Sequence, residues 1–429
     1  MGLVKELHVL PGLKYGEDLG WVELKTSREV LKGYSGEAHT LLTVMRSELM
    51  GWPADWMTRD GELSTGTLLP NIAYGMIAEL NGMRAGLENF KRKEVVGRLG
   101  LVLESLRKLD RYRNAGFFPT ALMLDEPKVD PELPVGIAAI DNAHIFLALL
   151  AVGEALPQLA GEALSLREGM DFSFFLDESC GLLRGVFKPD QGFEEYHNGA
   201  LMSETRLADY IYMIQSGDWK HYSRLYRQIP DWCRTKNARG NKFHWEPMRI
   251  DSNGANLFEW FQPWTWFPEE VWGDKEWRAS QKNFVKAEMA YGEQFLGGVW
   301  GHGPGDLPGL PEKERKYVVG GIPELAANAD HVYGEVISPY ASMFAARLFP
   351  DEVAANLNLI RQRFPRAYVL GLGFVDSVLP KTGEVASRFL SSNVGMVVAA
   401  MGNGLNGQWE LVSDFFGLLP EVLAEEERV

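Results

Sequence analysis

The sequence predicts an all-α domain of about a dozen helices arranged as pairs, with functional loops gathered at one end. Three observations support this. Helical periodicity dominates wherever a period can be read, and alternating, strand-like runs are few and short. The intervening segments, among them NAGFFPTALMLDEP, FKPDQGFEEYHNG and GGVWGHGPGDLPGLP, are rich in Gly, Pro and aromatic residues, a composition of built loops rather than linkers. No internal repeat and no Ser-rich or charged tract marks a boundary, so residues 1–429 read as a single domain.

The helices follow in order. VGRLGLVLESLRKLDR has one apolar stripe, while DNAHIFLALLAVGEAL is apolar nearly all round and should be an inner helix. In SETRLADYIYMIQSGD, Leu207, Tyr210, Ile211 and Ile214 share a face, with Ser203 as the expected N-cap and Gly217 as the stop. KEWRASQKNFVKAEMAYG has the same period. In PDEVAANLNLIRQRFP, Asp351 is the expected cap, and Val353, Leu357, Ile360 and Phe364 form the stripe that Pro365 ends. FEWFQPWTWFPEEVW, Phe258 to Trp272, fits neither pattern: Pro263 and Pro268 interrupt its tryptophans and phenylalanines, which could form either core or a surface that holds something flat.

Composition narrows the function. With 43 basic and 58 acidic residues the net charge is −15, spread without long runs, which argues against nucleic-acid and anionic-membrane partners. No apolar run approaches the roughly 20 residues of a membrane span. The opening MGLVKELHVLPG has neither a basic nor an apolar leader region, so no secretory signal is visible, although a trimmed leader would leave the same start. Cys180 and Cys233 lack metal-site spacing and read as packing residues. GxSxG, P-loop, HExxH and Gly-rich βαβ signatures are absent, and the histidines never pair at ligand spacing, so no metal or cofactor is implied.

What remains is a set of carboxylates in aromatic, glycine-rich loops: Asp141, Glu194, Glu195, Glu204, Glu259, Asp306, Glu335, Asp376 and Glu384. Glycoside cleavage uses this vocabulary, one carboxylic acid protonating the leaving oxygen while another carboxylate activates water or attacks. Aromatic faces stack on the apolar faces of sugars. Glu204 stands where a loop enters a helix, a rigid and reachable position, though a first-turn glutamate is also favoured by the helix dipole. Arg206, two positions on, projects to another face. Asp141 precedes a helix and could simply cap it, and His144 reads as a satisfied core histidine. Glu259, between Phe258 and Trp260, implies a raised pKa or a buried partner.

Eight stretches in order along the chain resemble the glucoamylase-like (α/α)6-barrel glycoside hydrolases, specifically the endo-β-1,2-glucanases and the cyclising domain of cyclic β-1,2-glucan synthases. These are LLPNIAYGMIAELNGMRAG, RNAGFFP, AAIDNAHIFLALLA, MSETRLADYIYMIQSGD, NLFEWFQPWTW, AEMAYGEQFLGGVWGHGPGD, YGEVISPYASMFAARLFPDEVAANLNLI and GLGFVDSVLP. The resemblance implies an (α/α)6 toroid of six helical hairpins with long loops at the active-site end, and an oligosaccharide or polysaccharide substrate. It makes Glu204 an acid or acid/base residue, Asp141 a cleft residue and Asp376 a third catalytic candidate. Phe117, Arg206, Glu259, Trp260, Trp264, Trp300, His302, Glu335 and Tyr340 lie in the matching motifs and are the substrate-binding candidates. Trp260 or Trp264 is expected to touch sugar, with Trp266, Phe267 and Trp272 packed inward.

Two departures bear on mechanism. Retaining, cyclising members carry a nucleophilic glutamate in a WGISES motif, where this chain reads WGHGPGD and offers none. An inverting reaction fits better, with acid and base about 6.5–9.5 Å apart. Near the C-terminus the hydrolases' IDQGP is LSSNVGM here, placing Ser392 and Asn393 where an acidic cleft residue is expected. The leading expectation is an inverting hydrolase of a glucan, β-1,2-linked glucose first, with Glu204 as acid and Asp141 or Asp376 assisting water. The alternatives are another (α/α)6 carbohydrate enzyme (lyase, phosphorylase, epimerase or transglycosylase) and a non-catalytic sugar-binding relative. A phosphorylase would require basic residues at the cleft, which the acidic loops do not suggest.

Overall fold

Apolar residues spaced three and four apart become helix across most of the computed structural model, which describes residues 27–112, 116–132, 136–198, 202–227, 242–245, 248, 253–266, 269 and 275–406. Among them are twelve α-helices: α1 Ser27–Val44, α2 Leu69–Arg84, α3 Arg92–Arg107, α4 Ala139–Ala155, α5 Ala160–Arg167, α6 Arg206–Ser216, α7 Lys220–Arg227, α8 Leu257–Phe261, α9 Lys275–Phe295, α10 Pro339–Met343, α11 Pro350–Arg363 and α12 Ser391–Asn406. Phe267, Trp272 and Cys233 lie outside the described residues.

Burial sorts these helices into two layers. Helices α2 and α4 are buried on nearly every side, as an apolar circumference requires. Inner helices run side by side, α12 on α2, α2 on α4 and α4 on α6. Amphipathic helices cover them from outside: α1 lies on α12 and α11, α3 on α2 and α5, and α5 on α4. The hydrophobic core runs from Val30 to Met401. No helix among the described residues is long and apolar enough to cross a membrane.

Short strands gather at one end of the inner helices. Strand Gly66–Leu68 leads into α2, Ile137–Ala138 into α4, and Arg388–Leu390 into α12. Each pairs within a sheet of only two or three strands, too short for a period of two to show in the sequence. One pair joins distant parts of the chain, Trp56–Thr58 running antiparallel to Arg388–Leu390.

Two expected caps fall differently. Helix α6 begins after Thr205, with Ser203 in the preceding turn, and Pro350 starts α11, placing Asp351 inside its first turn. Gly217 ends α6 in the left-handed conformation, as expected (φ 71°). His144 is a core residue: Trp266 Nε1 donates to its Nδ1 at 2.9 Å, and burial holds its pKa down at about 3. The imidazole is therefore neutral, with Nδ1 as the acceptor of the Trp266 indole N–H.

Candidate active site

Asp141 and Glu204 come together at the strand-bearing ends of α4 and α6. Asp141 sits in the first turn of α4 rather than capping it, and Thr120 hydrogen-bonds its carboxylate. Burial and the neighbouring Glu204 charge push its pKa up to about 6, against that hydrogen bond. Glu204 lies immediately before α6, where Ser203 Oγ donates to its Oε2 at 3.0 Å. Burial raises its pKa, opposed by its own backbone N–H, Ser203 and Arg206. Both groups keep part of their surface open, so they are reachable yet poorly hydrated. A carboxyl in that state can retain a proton near neutrality and deliver it, which is what a general acid requires.

A second carboxylate group is built around Asp376. Asp376, 4% exposed, accepts from the Asp306 backbone N–H at 2.6 Å through Oδ2 and from Asn393 Nδ2 at 2.6 Å through Oδ1. Burial first, then the Asp306 charge, push it up to about 8 in spite of both hydrogen bonds. Asp306 is itself raised by burial and restrained by Arg315, 3.3 Å away, and by Arg388. Asp55, raised by burial, is held by Asn71 Nδ2 at 3.0 Å and feels the same two guanidiniums. Arg388 lies over the Trp56 ring at 3.8 Å. The paired strands Trp56–Thr58 and Arg388–Leu390 assemble this corner from opposite ends of the sequence.

The two groups share tyrosine neighbours. The phenols of Tyr340 and Tyr317 both feel the charges of Asp376 and Glu204, and Tyr317 also feels Asp55 and Asp306. Tyr340 is fixed by donating to the Pro304 carbonyl at 3.0 Å. Gly305 is required beside it, because a Cβ there would lie 2.6 Å from Asp376 Oδ2.

Several expected binding residues are placed elsewhere. Phe117 is fully buried between Phe172 and Phe175. Arg206 is fully buried, its guanidinium paired with Glu269 (2.6 Å) and donating to the Glu259 and Trp260 carbonyls. Trp260 stacks on Phe284 with ring centroids 4.3 Å apart. His302 is buried with Nδ1 2.9 Å from Glu288 and Nε2 3.2 Å from the Gly334 carbonyl. All four side chains are buried, which tells against direct contact with a sugar; Trp260 Nε1 alone among them is buried without a hydrogen-bond partner. Trp264 is likewise buried, edge-on to Phe261 at 4.5 Å, and Trp266 is buried as expected. Glu259 accepts from the Gly254 N–H through both oxygens and braces a turn in which Ala255 has a left-handed φ of 45°. Trp300 borders an outer groove between α9 and α11 whose lining includes none of the cleft carboxylates. Glu335 is half-buried near Tyr291.

The sequence reading missed Asp55, Trp56, Arg315, Tyr317, Arg388 and the function of Asn393. Arg315 lies in the run KERK, which reads as a solvated face. Asp306, which ends the Gly-Pro stretch GHGPGD, stands among the loop carboxylates that the sequence singled out. One group of metal-ligand types occurs among the described residues, Asp177, Cys180 and His197. Asp177 is saturated there: Ser179 occupies Oδ1, while Arg184 and His197 occupy Oδ2. The cluster is a hydrogen-bonded brace.

The Glycoamylase family model, described as "Putative glucoamylase", matches residues 201–415. The fold is similar to an endo-β-1,2-glucanase from Chitinophaga pinensis solved with sophorotriose and glucose (TM-score 0.74, 16% identity, 93% of this chain and 98% of that chain). It is also similar to a β-1,2-glucanase from Parabacteroides distasonis (TM-score 0.76, 17% identity, 93% and 60%) and an endo-β-1,2-glucanase from Talaromyces funiculosus solved with sophorose (TM-score 0.68, 14% identity, 94% and 92%). No curated protein matches the chain significantly.

Proposed function

The chain belongs to the Glycoamylase family, and from that premise we propose that it is an inverting glycoside hydrolase of glucans, with β-1,2-linked glucose as its first substrate class. One observation supports the reading: two groups of carboxyls with raised pKa, Glu204 with Asp141 and Asp376 with Asp306, both act on the phenols of Tyr317 and Tyr340. Inversion needs an acid on one side of the sugar and a base on the other, with room for water between.

Glu204 is the general acid. Burial keeps its proton on, and the adjacent Asp141 carboxyl favours sharing one proton between the pair over ionising both. As the glycosidic bond breaks, that proton goes to the leaving oxygen. Asp376 is the base, taking a proton from the attacking water in its ionised form, which its pKa of about 8 makes the minority species at neutral pH. Asp306 N–H and Asn393 Nδ2 fix its two oxygens, so its orientation is set before substrate arrives. Arg315 and Arg388 bring positive charge to the cleft, which the acidic loops did not foretell, but they face Asp306 and Asp55 and so neutralise carboxylates rather than form a phosphate site. Asp141 tunes the acid rather than acting on water, because it stands on the same side as Glu204.

The test is incubation with a panel of β-glucans, following reducing ends and the anomeric configuration of the first product by NMR. The reading expects cleavage of β-1,2-glucan with initial α-anomer. Unsaturated products absorbing in the ultraviolet would instead identify a lyase, and a retained β-anomer would remove the inverting mechanism.

A further inference from the structure

Beside the proposed acid stands an aromatic side chain that the chemistry above does not use. Tyr196 is 52% exposed, unusual for a tyrosine so close to a buried site, and its phenol feels the charges of Glu194, Asp141 and Glu204. Its position is built. The ring lies directly over Gly185, where a Cβ would meet Cε2 at 2.1 Å, Cζ at 2.4 Å and Oη at 2.6 Å. The φ of Gly185 is not in the left-handed region, so backbone conformation does not require this glycine; the ring above it does.

The backbone under Tyr196 is held from both sides. Gly185 N–H donates to the Tyr196 carbonyl at 3.4 Å, and Asn198 N–H to the Leu183 carbonyl at 2.7 Å. His197, adjacent in the chain, is anchored by Asp177 at 2.8 Å, and Arg184, which also pairs with Asp177, reaches the Glu194 carbonyl. The Asp177–His197–Arg184 brace thus fixes the segment that carries the tyrosine. A half-exposed ring seated on a glycine and anchored from behind is preorganised, and little side-chain freedom is lost when something flat covers it.

We infer that Tyr196 is the stacking platform for the pyranose bound next to Glu204, and that Gly185 exists to seat it. This rests on the glycoside-hydrolase reading and adds to it a residue that governs binding of the chain across the scissile bond. Glu194, paired with Lys188 at 2.5 Å beside the ring, supplies the polar rim such a site needs for hydroxyls.

The experiment is calorimetric titration of a β-1,2-linked gluco-oligosaccharide into Glu204→Gln, in which turnover is blocked. The Glu204→Gln/Tyr196→Ala protein is expected to bind about tenfold or more weakly, Tyr196→Phe to bind within about twofold of the parent, and Gly185→Ala to lose affinity like Tyr196→Ala. Unchanged melting temperatures establish that the variants fold. Equal affinity in the Tyr196→Ala and parent proteins overturns the platform while leaving the hydrolase reading intact. Tyr196→Phe as weak as Tyr196→Ala also overturns it, since the hydroxyl and not the ring face would then be the contact. If Glu204→Gln binds no glucan at all, the functional reading itself fails and the platform with it.

Discussion

The Asp306 backbone N–H donates to Asp376 Oδ2 at 2.6 Å, so one residue both orients the proposed base and, through its side-chain charge, raises that base's pKa. The two effects can be separated. Asp306→Asn keeps the backbone donor and removes the charge. The Asp376 pKa then falls from about 8, the base ionises at lower pH, and the rising limb of the kcat/KM profile moves in the acid direction. A pH–rate profile checks the shift, and a limb that stays in place would detach Asp306 from the base.

Asn393 supplies the other hydrogen bond to Asp376, also at 2.6 Å. Asn393→Ala removes a donor to the charged form, so the limb should move in the alkaline direction, opposite to Asp306→Asn. Loss of a hydrogen bond to a charged group should also lower kcat about 10- to 100-fold, read from steady-state kinetics above the limb.

A strongly raised carboxyl costs stability at high pH. The folded pKa of Asp376, about 8, lies above the unfolded value of 3.8, so its contribution is fully present below the unfolded value and is lost as pH rises through the folded one. Asp376→Asn should therefore abolish turnover yet stabilise the protein at pH ~8 by roughly 2 kcal/mol, with the gain vanishing near pH ~4. Urea midpoints at the two pH values measure this.

Arg206 and Glu269 form a buried pair with side chains 0% and 1% exposed. Arg206→Met should destabilise by about 3–5 kcal/mol, because Glu269 is left charged and buried without its partner. Arg206→Met combined with Glu269→Leu should regain most of that loss. Denaturation midpoints test both, and the pair is expected to matter for stability rather than for sugar binding.

How much of this the sequence revealed depended on locality. Helices such as α4 and α6 were legible because an apolar period is a local signal, and Asp141 and Glu204 could be placed because each stands beside such a helix. Asp55 and Arg388 were not legible, since a three-residue strand pair brings them together and no local pattern records that meeting. The aromatic run from Phe258 misled for a related reason. Aromatic density shows that rings gather but not which way they face, and α8 is too short for periodicity to decide. Trp266 went inward as expected, but so did Trp260 and Trp264. Conversely, Tyr196 carried no period or motif, and only its seat on Gly185 reveals it.

The most direct test of the account is the rate at which Glu204→Gln releases reducing ends from β-1,2-glucan, compared with the unsubstituted protein. Loss of the general acid should lower kcat by about 10²–10⁴-fold while glucan binding persists. An unchanged rate would contradict the assignment of Glu204.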